Sequence, residues 1–157
     1  MAGEQYLGFA LNAVDAKLRV SVPTAFREIV AARSVERELI LGPSEYDDCL
    51  VAYDPTHGDA LRAEIETRYA GNYSRERSVA LRRAFGNTTR LKIDEAHRIT
   101  LTPTLKDLLG LERFVYFLGA GEYFELWNPR TLLGVPDLDP STARILRREL
   151  EARGEAA

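Results

Sequence analysis

The chain has 157 residues, of which 45 % are hydrophobic and 29 % charged, so a folded soluble protein is expected and wholesale disorder is excluded. Its single cysteine, Cys49, excludes an intramolecular disulfide, and two histidines are too few to build a metal cluster around it. The longest apolar run, residues 114–121, is shorter than the roughly 18 residues of a membrane helix. Residues 1–6 have neither the basic nor the apolar region of an export signal, so we expect a cytoplasmic protein.

The formal net charge is −3, but the charges are segregated along the chain. Residues 36–66 contain nine acids against two bases, a sum of −7, whereas residues 75–98 contain seven bases against three acids, a sum of +4. A polyanion responds to the charge at one face of a protein and not to the total. The acidic total therefore neither supports nor excludes a nucleic-acid partner.

The chain contains an internal repeat. Residues 14–22 (VDAKLRVSV) align with residues 93–101 (IDEAHRITL) at a constant offset of 79, which places Asp15 on Asp94 and Arg19 on Arg98. In each copy the motif predicts a turn between two strands. An apolar triplet with helical spacing follows, so each copy predicts a short helix on a core; the triplets are Phe26, Ile29 and Val30, and Leu105, Leu108 and Leu109.

Two strand-like runs follow each predicted helix, at residues 38–41 and 49–55 in the first copy and at 113–118 and 123–129 in the second. Between the copies, the spacing of Leu61, Ile65 and Tyr69 predicts a helix, which a break at Gly71-Asn72 separates from a second, basic helix. Pro136 and Pro140 mark a linker before a capped helix over residues 141–150, whose apolar side holds Ile145, Leu146 and Leu150.

The sequence thus divides into a first repeat (7–56), a helical connector (57–86), a second repeat (87–130), and a linker with a C-terminal helix and tail (131–157). The predicted fold class is α+β, mainly β with short helices.

The repeated Asp-x-x-x-Arg motif has two interpretations. As structure, Asp15 and Asp94 bond nearby backbone N–H groups of the turn, and the arginines pair with these carboxylates. As function, a two-stranded ribbon places Arg19 and Arg98 in the major groove of DNA, where arginine donates two parallel hydrogen bonds to guanine. The duplication favours the functional interpretation, because two basic tips form one symmetric surface.

Four stretches resemble the MraZ family of bacterial regulators, whose halves are AbrB-like (SpoVT-AbrB) DNA-binding domains. They are residues 12–23 (NAVDAKLRVSVP) with Phe26-Arg27, Cys49-Leu50 with Tyr53-Asp54-Pro55, residues 83–86 (RAFG) leading into the second motif, and residues 119–129 (GAGEYFELWNP). The resemblance covers roughly residues 6–135. It implies duplicated halves that interleave into a double-split β-barrel, and a ring-like homo-oligomer on G-rich direct repeats upstream of the division and cell-wall gene cluster.

The resemblance, together with the charge pattern, gives the candidate site residues. The candidate DNA contacts are Lys17, Arg19, Arg27, Arg90, Lys92 and Arg98; the turn residues are Asp15, Leu18, Asp94 and His97. The family has glycine where this chain has Leu18 and His97. Glycine permits a positive φ, so either the turn is remodelled here or a non-glycine residue adopts that conformation. We expect the acidic segment 36–66 to face away from the DNA.

Enzymatic chemistry is not expected. His97 has no cysteine, serine or second histidine in register, and Cys49 begins an apolar strand, which is typical of a core residue. No glycine-rich phosphate loop of standard spacing occurs, and no cofactor is expected. Two functions remain: a DNA-binding regulator in the nucleoid, acting as a homo-oligomer, or a protein-interaction module of the same fold with little DNA affinity.

Overall fold

The computed structural model describes residues 4–155 and confirms the α+β class. The strands are β1 (Phe9–Ala13), β2 (Arg19–Ser21), β3 (Glu38–Pro43), β4 (Leu50–Tyr53), β5 (Thr89–Lys92), β6 (Arg98–Thr100), β7 (Phe114–Gly119) and β8 (Phe124–Trp127). The helices are α1 (Thr24–Arg33), α2 (Pro55–Tyr69), α3 (Arg75–Leu81), α4 (Pro103–Leu109), α5 (Pro129–Leu133) and α6 (Pro140–Ala152), and a π-helical turn, Arg82–Gly86, follows α3.

The strands of the two repeats interleave. Six antiparallel strands form one sheet in the order β1-β7-β8-β4-β3-β5, and β2 pairs with β6 in a separate two-stranded ribbon. The ribbon contacts both edge strands of the sheet, since β2 lies against β1 and β6 lies against β5. Within the described residues the hydrogen-bonded strands thus form an open sheet with a ribbon across its ends, not a closed barrel.

Strands β1, β3 and β4 of the first repeat pair with β7, β5 and β8 of the second repeat, respectively. Each repeat therefore covers strand edges that the other repeat would leave unpaired. The main core lies between the sheet, the ribbon, α1 and α4, and includes Phe26, Phe117 and Phe124 at the centre. The four-part division of the sequence consequently crosses this shared core, and as a division into domains it stays a prediction.

Local sequence explains the ends of the short helices. Thr102 caps α4 by accepting a hydrogen bond from the N–H of Leu105, and Pro103 occupies the first helical position, where its missing N–H costs nothing. Gly110 ends α4 in the left-handed conformation with φ 58°. The predicted apolar stripe of α4 is only partly correct: Leu105 and Leu109 are buried, but Leu108 is 38 % exposed. In α1 the whole triplet is buried.

A second core lies under the C-terminal helix. Leu146 and Leu150 of α6 are buried against Phe114, Tyr116 and Trp127, and Cys49 belongs to the same cluster, as expected for a core residue. Burial raises the pKa of the Cys49 thiol. Asp139, rather than a residue of the predicted span, caps α6 by accepting from the N–H of Thr142. The apolar side of α6 is therefore covered by its own chain, apart from Ile145.

Asp54 is a fully buried carboxylate at the N-terminus of α2. It accepts hydrogen bonds from the Tyr6 hydroxyl (2.6 Å), the Arg33 guanidinium (3.2 Å) and the N–H of His57 (3.2 Å). Burial alone raises the pKa of Asp54, but the hydrogen bonds from Tyr6, His57 and Arg33 outweigh it, so the pKa lies below the ordinary 3.8. This carboxylate joins the N-terminal segment, α1 and α2.

The connector residues contribute less to the core. In α2 only Ile65 is buried, and α3 has no buried residue, although Ser74 caps it by accepting from the N–H of Arg77. The predicted break between these helices is confirmed at residues 70–74. None of the helices described in residues 4–155 has both the length and the apolar character needed to cross a bilayer.

Candidate nucleic-acid interface

The β2–β6 ribbon presents two arginines on its outward face. Arg19 pairs with Thr100, Val20 with Ile99, and Ser21 with Arg98 in antiparallel register. Val20 and Ile99 are buried. Because side chains alternate across a strand, the flanking residues of both strands point away from the core. Arg19 and Arg98 therefore lie diagonally on one solvent-facing surface, about 7–8 Å apart between Cα atoms in a regular ribbon.

The first turn is fixed by Asp15. Its Oδ1 accepts hydrogen bonds from the N–H of Lys17 (2.9 Å) and of Arg19 (2.8 Å), and its Oδ2 accepts from Arg19 Nε (2.7 Å). The backbone closes the same turn, since Leu18 N–H donates to the Asp15 carbonyl and Asp15 N–H donates to the Arg19 carbonyl, both at 3.0 Å. Asp15 thus orients the Arg19 side chain and leaves the outer edge of its guanidinium free to donate.

The second turn repeats this geometry. Oδ1 of Asp94 accepts from the N–H of Ala96 (2.8 Å) and of Arg98 (2.9 Å), and Arg98 Nε lies 3.4 Å from Oδ2. The longer ion pair holds Arg98 less tightly than Asp15 holds Arg19. The structural interpretation of the motif is therefore correct, and it is compatible with the functional one, because each arginine has further N–H donors.

Both turn carboxylates are held in the ionised state. The N–H of Arg19, aided by its side chain and by the N–H of Lys17, holds the pKa of Asp15 below its usual 3.8. The N–H of Arg98, aided by the N–H of Ala96, does the same for Asp94. At neutral pH each arginine is thus partly neutralised by its own turn.

The residues in the family's glycine positions keep the left-handed backbone. Leu18 has φ 62° and His97 has φ 65°, so the turn is not remodelled, and both side chains tolerate a conformation that glycine adopts more readily. Leu18 is partly buried and packs against the main core, whereas His97 is exposed. The carbonyls of both residues accept the last hydrogen bonds of the ribbon, from Leu101 and Val22 respectively.

Lys17 and Arg27 lie at different turns, although they are close in sequence. Lys17 is exposed at the tip of the first turn. The Arg27 guanidinium donates to the Val22 carbonyl at 3.2 Å, and the N–H of Val22 donates to the His97 carbonyl, which places Arg27 beside the second turn. The counterpart of Arg27 at the offset of 79 was not predicted as a DNA contact, because it lies outside the repeated motif. That residue is Lys106, exposed on α4.

Arg90 and Lys92 are engaged by acids on neighbouring structure. Arg90 lies 3.0 Å from Glu38 and Lys92 lies 2.6 Å from Glu36, both across the β3–β5 edge. The side chain of Lys92 lowers the pKa of Glu36 from its usual value. These two acids begin the acidic segment and lie beside the strand that leads into the second turn. The orientation of the acidic segment relative to the DNA stays a prediction.

Together, the interleaved repeats and the paired turns define a duplicated α+β protein whose two-stranded ribbon carries two arginines. A family profile described as "MraZ protein, putative antitoxin-like" matches residues 84–131. Relatives named "Transcriptional regulator MraZ" cover most of the chain. One from Methylocella silvestris is 33 % identical over 153 residues, 96 % of this chain and 90 % of the relative. Others from Rickettsia felis and Rickettsia canadensis are each 34 % identical over 125 residues, 80 % of this chain and 82 % of the relative.

The chain belongs to the MraZ family. The relatives carry the name of a regulator, a role without catalysis.

Proposed function

We propose that this protein is a transcriptional regulator that binds double-stranded DNA with the outward face of the β2–β6 ribbon. The observation that carries the proposal is the diagonal placement of Arg19 and Arg98 on that face, each braced by the aspartate of its own turn. A two-stranded ribbon fits the major groove, and a braced guanidinium can donate two parallel hydrogen bonds to O6 and N7 of guanine.

The two turns contribute unequally. The first turn places Lys17 next to Arg19, and this lysine reaches a phosphate while the arginine contacts a base edge. The second turn has Ala96 at the lysine position and Glu95 beside it, and the Glu95 carboxylate repels phosphate. We infer that Arg19 dominates base recognition and that Arg98 assists it, with Arg27, Arg90 and Lys92 as further candidate contacts.

The regulator acts as a homo-oligomer on direct repeats in this proposal. Several cations near the ribbon are paired with carboxylates, so one subunit neutralises few phosphates and binds weakly. A ring-like oligomer that presents the same ribbon at regular spacing makes later contacts intramolecular, which raises avidity by roughly 10²–10⁴. The expected targets are G-rich direct repeats upstream of the division and cell-wall gene cluster, and the expected location is the nucleoid. The buried side of α6 does not supply the subunit contact, apart from Ile145.

Binding to DNA with different numbers of repeats tests the proposal. The DNA directly upstream of the coding sequence is divided into duplexes that carry one, two or more copies of its repeat, and affinities are measured at one salt concentration. We expect affinity to fall sharply when several copies are cut to one. Equal affinity for one copy and several contradicts the mechanism. Equally weak binding to every duplex favours the protein-interaction module, an alternative that the antitoxin-like description of the family profile supports.

A further inference from the structure

Two loops that are distant in sequence from the turns lie against them. In the loop between α1 and β3, the carbonyl of Arg37 accepts a hydrogen bond from the N–H of Ile93 at 3.0 Å, one residue before Asp94. In the loop between α4 and β7, the carbonyl of Arg113 accepts from the N–H of Val14 at 3.0 Å, one residue before Asp15. Each repeat thus places an arginine beside the turn of the other repeat.

Arg37, directly before β3, has an uncommon backbone conformation. It precedes β3 directly opposite Ile93, and strand alternation would put it on the face of Leu39, which is fully buried. Its φ of 51° interrupts that alternation, and the residue stays half-exposed. Within residues 4–155 its guanidinium has neither an ion pair nor a hydrogen bond. A left-handed conformation is costly for a residue other than glycine, asparagine or aspartate.

Arg113 occupies the matching place at the first turn, but its charge is neutralised. Its guanidinium lies 2.8 Å from a carboxylate oxygen of Glu155 and 5.1 Å from the centre of the Phe114 ring. Glu155 is held at this place by the end of α6, since its N–H donates to the Leu150 carbonyl at 2.9 Å. The two flanking arginines therefore have the same backbone placement and different charge environments.

In the described residues 4–155, the cations beside the second turn that have no carboxylate partner are Arg37 and Arg27, and the Arg27 guanidinium already donates to the Val22 carbonyl at 3.2 Å. Arg98 is paired with Asp94, and the cations of β5 are paired with Glu36 and Glu38. Ala96 stands where the first turn has Lys17. The second turn consequently has an arginine for a base edge but no lysine for a phosphate, and the backbone of Arg37, from the opposite repeat, is hydrogen-bonded to the residue before this turn.

We propose that Arg37 is the phosphate-binding residue of the second turn and replaces the lysine that this turn lacks. The inference rests on the proposed function, because it assumes that the ribbon contacts DNA. Binding of a phosphate by arginine is charge-assisted and bidentate, and it releases counterions from the DNA. The contribution of Arg37 should therefore appear in the salt dependence of binding.

The test measures affinity for a fluorescein-labelled duplex of the upstream DNA by fluorescence anisotropy across a range of NaCl concentrations. Arg37→Gln removes the charge and Arg37→Lys retains it, while Arg113→Gln is the matched control at the paired position. In Arg37→Gln, we expect the slope of log K against log salt to become shallower than in the wild type, by about 0.9 for each phosphate contact that is lost. The slope should be preserved in Arg37→Lys and in Arg113→Gln. Circular dichroism and thermal melting verify that each variant is folded.

Two results overturn the inference and separate it from the proposed function. If the wild-type protein binds this duplex with a steep salt dependence and Arg37→Gln has the same slope, Arg37 makes no phosphate contact, although the proposed function holds. An equal loss of slope in Arg113→Gln also overturns it, because a neutralised arginine would then contribute as much. If the wild-type protein shows no salt-dependent binding, the proposed function and the inference both fail.

Discussion

Leu18 and His97 occupy equivalent positions in the two turns and have the same left-handed backbone conformation, with φ 62° and 65°, but only Leu18 packs against the core. The ribbon retains the backbone of a glycine turn without the glycine. The backbone strain at Leu18 is offset by apolar contact, whereas His97, which is exposed, receives no such compensation.

Glycine substitutions should separate strain from packing. The left-handed conformation costs roughly 1–2 kcal/mol in a non-glycine residue, and glycine costs roughly 0.5–1 kcal/mol in chain entropy. We expect His97→Gly to raise the free energy of unfolding by about 0.5–1 kcal/mol. Leu18→Gly gains the same relief but loses apolar burial, so its stability should be unchanged or lower. Urea denaturation measures both, and a less stable His97→Gly would show that the histidine makes stabilising contacts.

The order of elements within each repeat could be predicted from sequence because its signals are local. Helical spacing placed α1 and α4, and the repeated motif placed the turns. The pairing of strands depends on contacts between distant residues, so the interleaving of the two halves came from the family resemblance and not from periodicity, and the pairing of β3 with β5 was not predicted. The exposure of Leu108 and the existence of α5 were missed because neither depends on local spacing alone.

The residues of the candidate site could be predicted from the sequence, but their ion pairs and their spatial arrangement could not. The motif identified Arg19 and Arg98, but the ion pairs of Arg90 and Lys92 are formed with acids more than 50 residues away. Arg37 carried no sequence signal, because it lies in a strongly acidic segment and reaches the second turn only through the β3–β5 pairing. Charge along the chain thus described the environment of these residues poorly.

Acidification should destabilise the protein through His57. Burial lowers the pKa of His57 below 6.5, an effect that the Glu122 carboxylate at 3.8 Å and Asp54 oppose and Arg33 reinforces. Below pH 6.5 the unfolded chain binds a proton that the folded chain resists, so the free energy of unfolding falls as the pH drops through this range.

Thermal melting between pH 7.5 and 5.5 measures this pH dependence. His57→Gln should reduce it, and His97→Gln, which alters the other histidine of the chain, is the control that should retain it. Equal pH dependence in the wild type and in His57→Gln would contradict the assignment.

Asp54 should be important for stability and not for DNA binding. Asp54→Ala removes the carboxylate that pairs with Tyr6 and Arg33 and leaves buried donors behind, so we expect a loss of about 3 kcal/mol in the free energy of unfolding. The exposed pair Arg62–Glu66 is the matched control, since Glu66→Ala should cost less than about 1 kcal/mol. At temperatures where both variants are folded, their DNA affinity should equal that of the wild type. A loss of DNA affinity in folded Asp54→Ala would place this carboxylate in the interface.

Arg98 should matter less than Arg19 for specific binding. Arg98→Ala removes an arginine held by the longer ion pair, in a turn with Glu95 nearby, so we expect a smaller loss of affinity for upstream DNA than in Arg19→Ala. For each of the two protein variants, competition between labelled upstream DNA and unlabelled duplexes measures the loss of specific affinity. A larger loss in Arg98→Ala would reverse the proposed order of the two turns.

The most direct test of the ribbon as the DNA-reading surface is the affinity of Arg19→Ala for upstream DNA and for an unrelated duplex of equal length, at the same salt concentration. Loss of a bidentate contact to guanine costs roughly 1–3 kcal/mol, a factor of about 5–150 in affinity. We expect this loss on the upstream DNA and a much smaller one on the unrelated duplex. If Arg19→Ala retains the wild-type affinity for upstream DNA, the ribbon does not read the sequence.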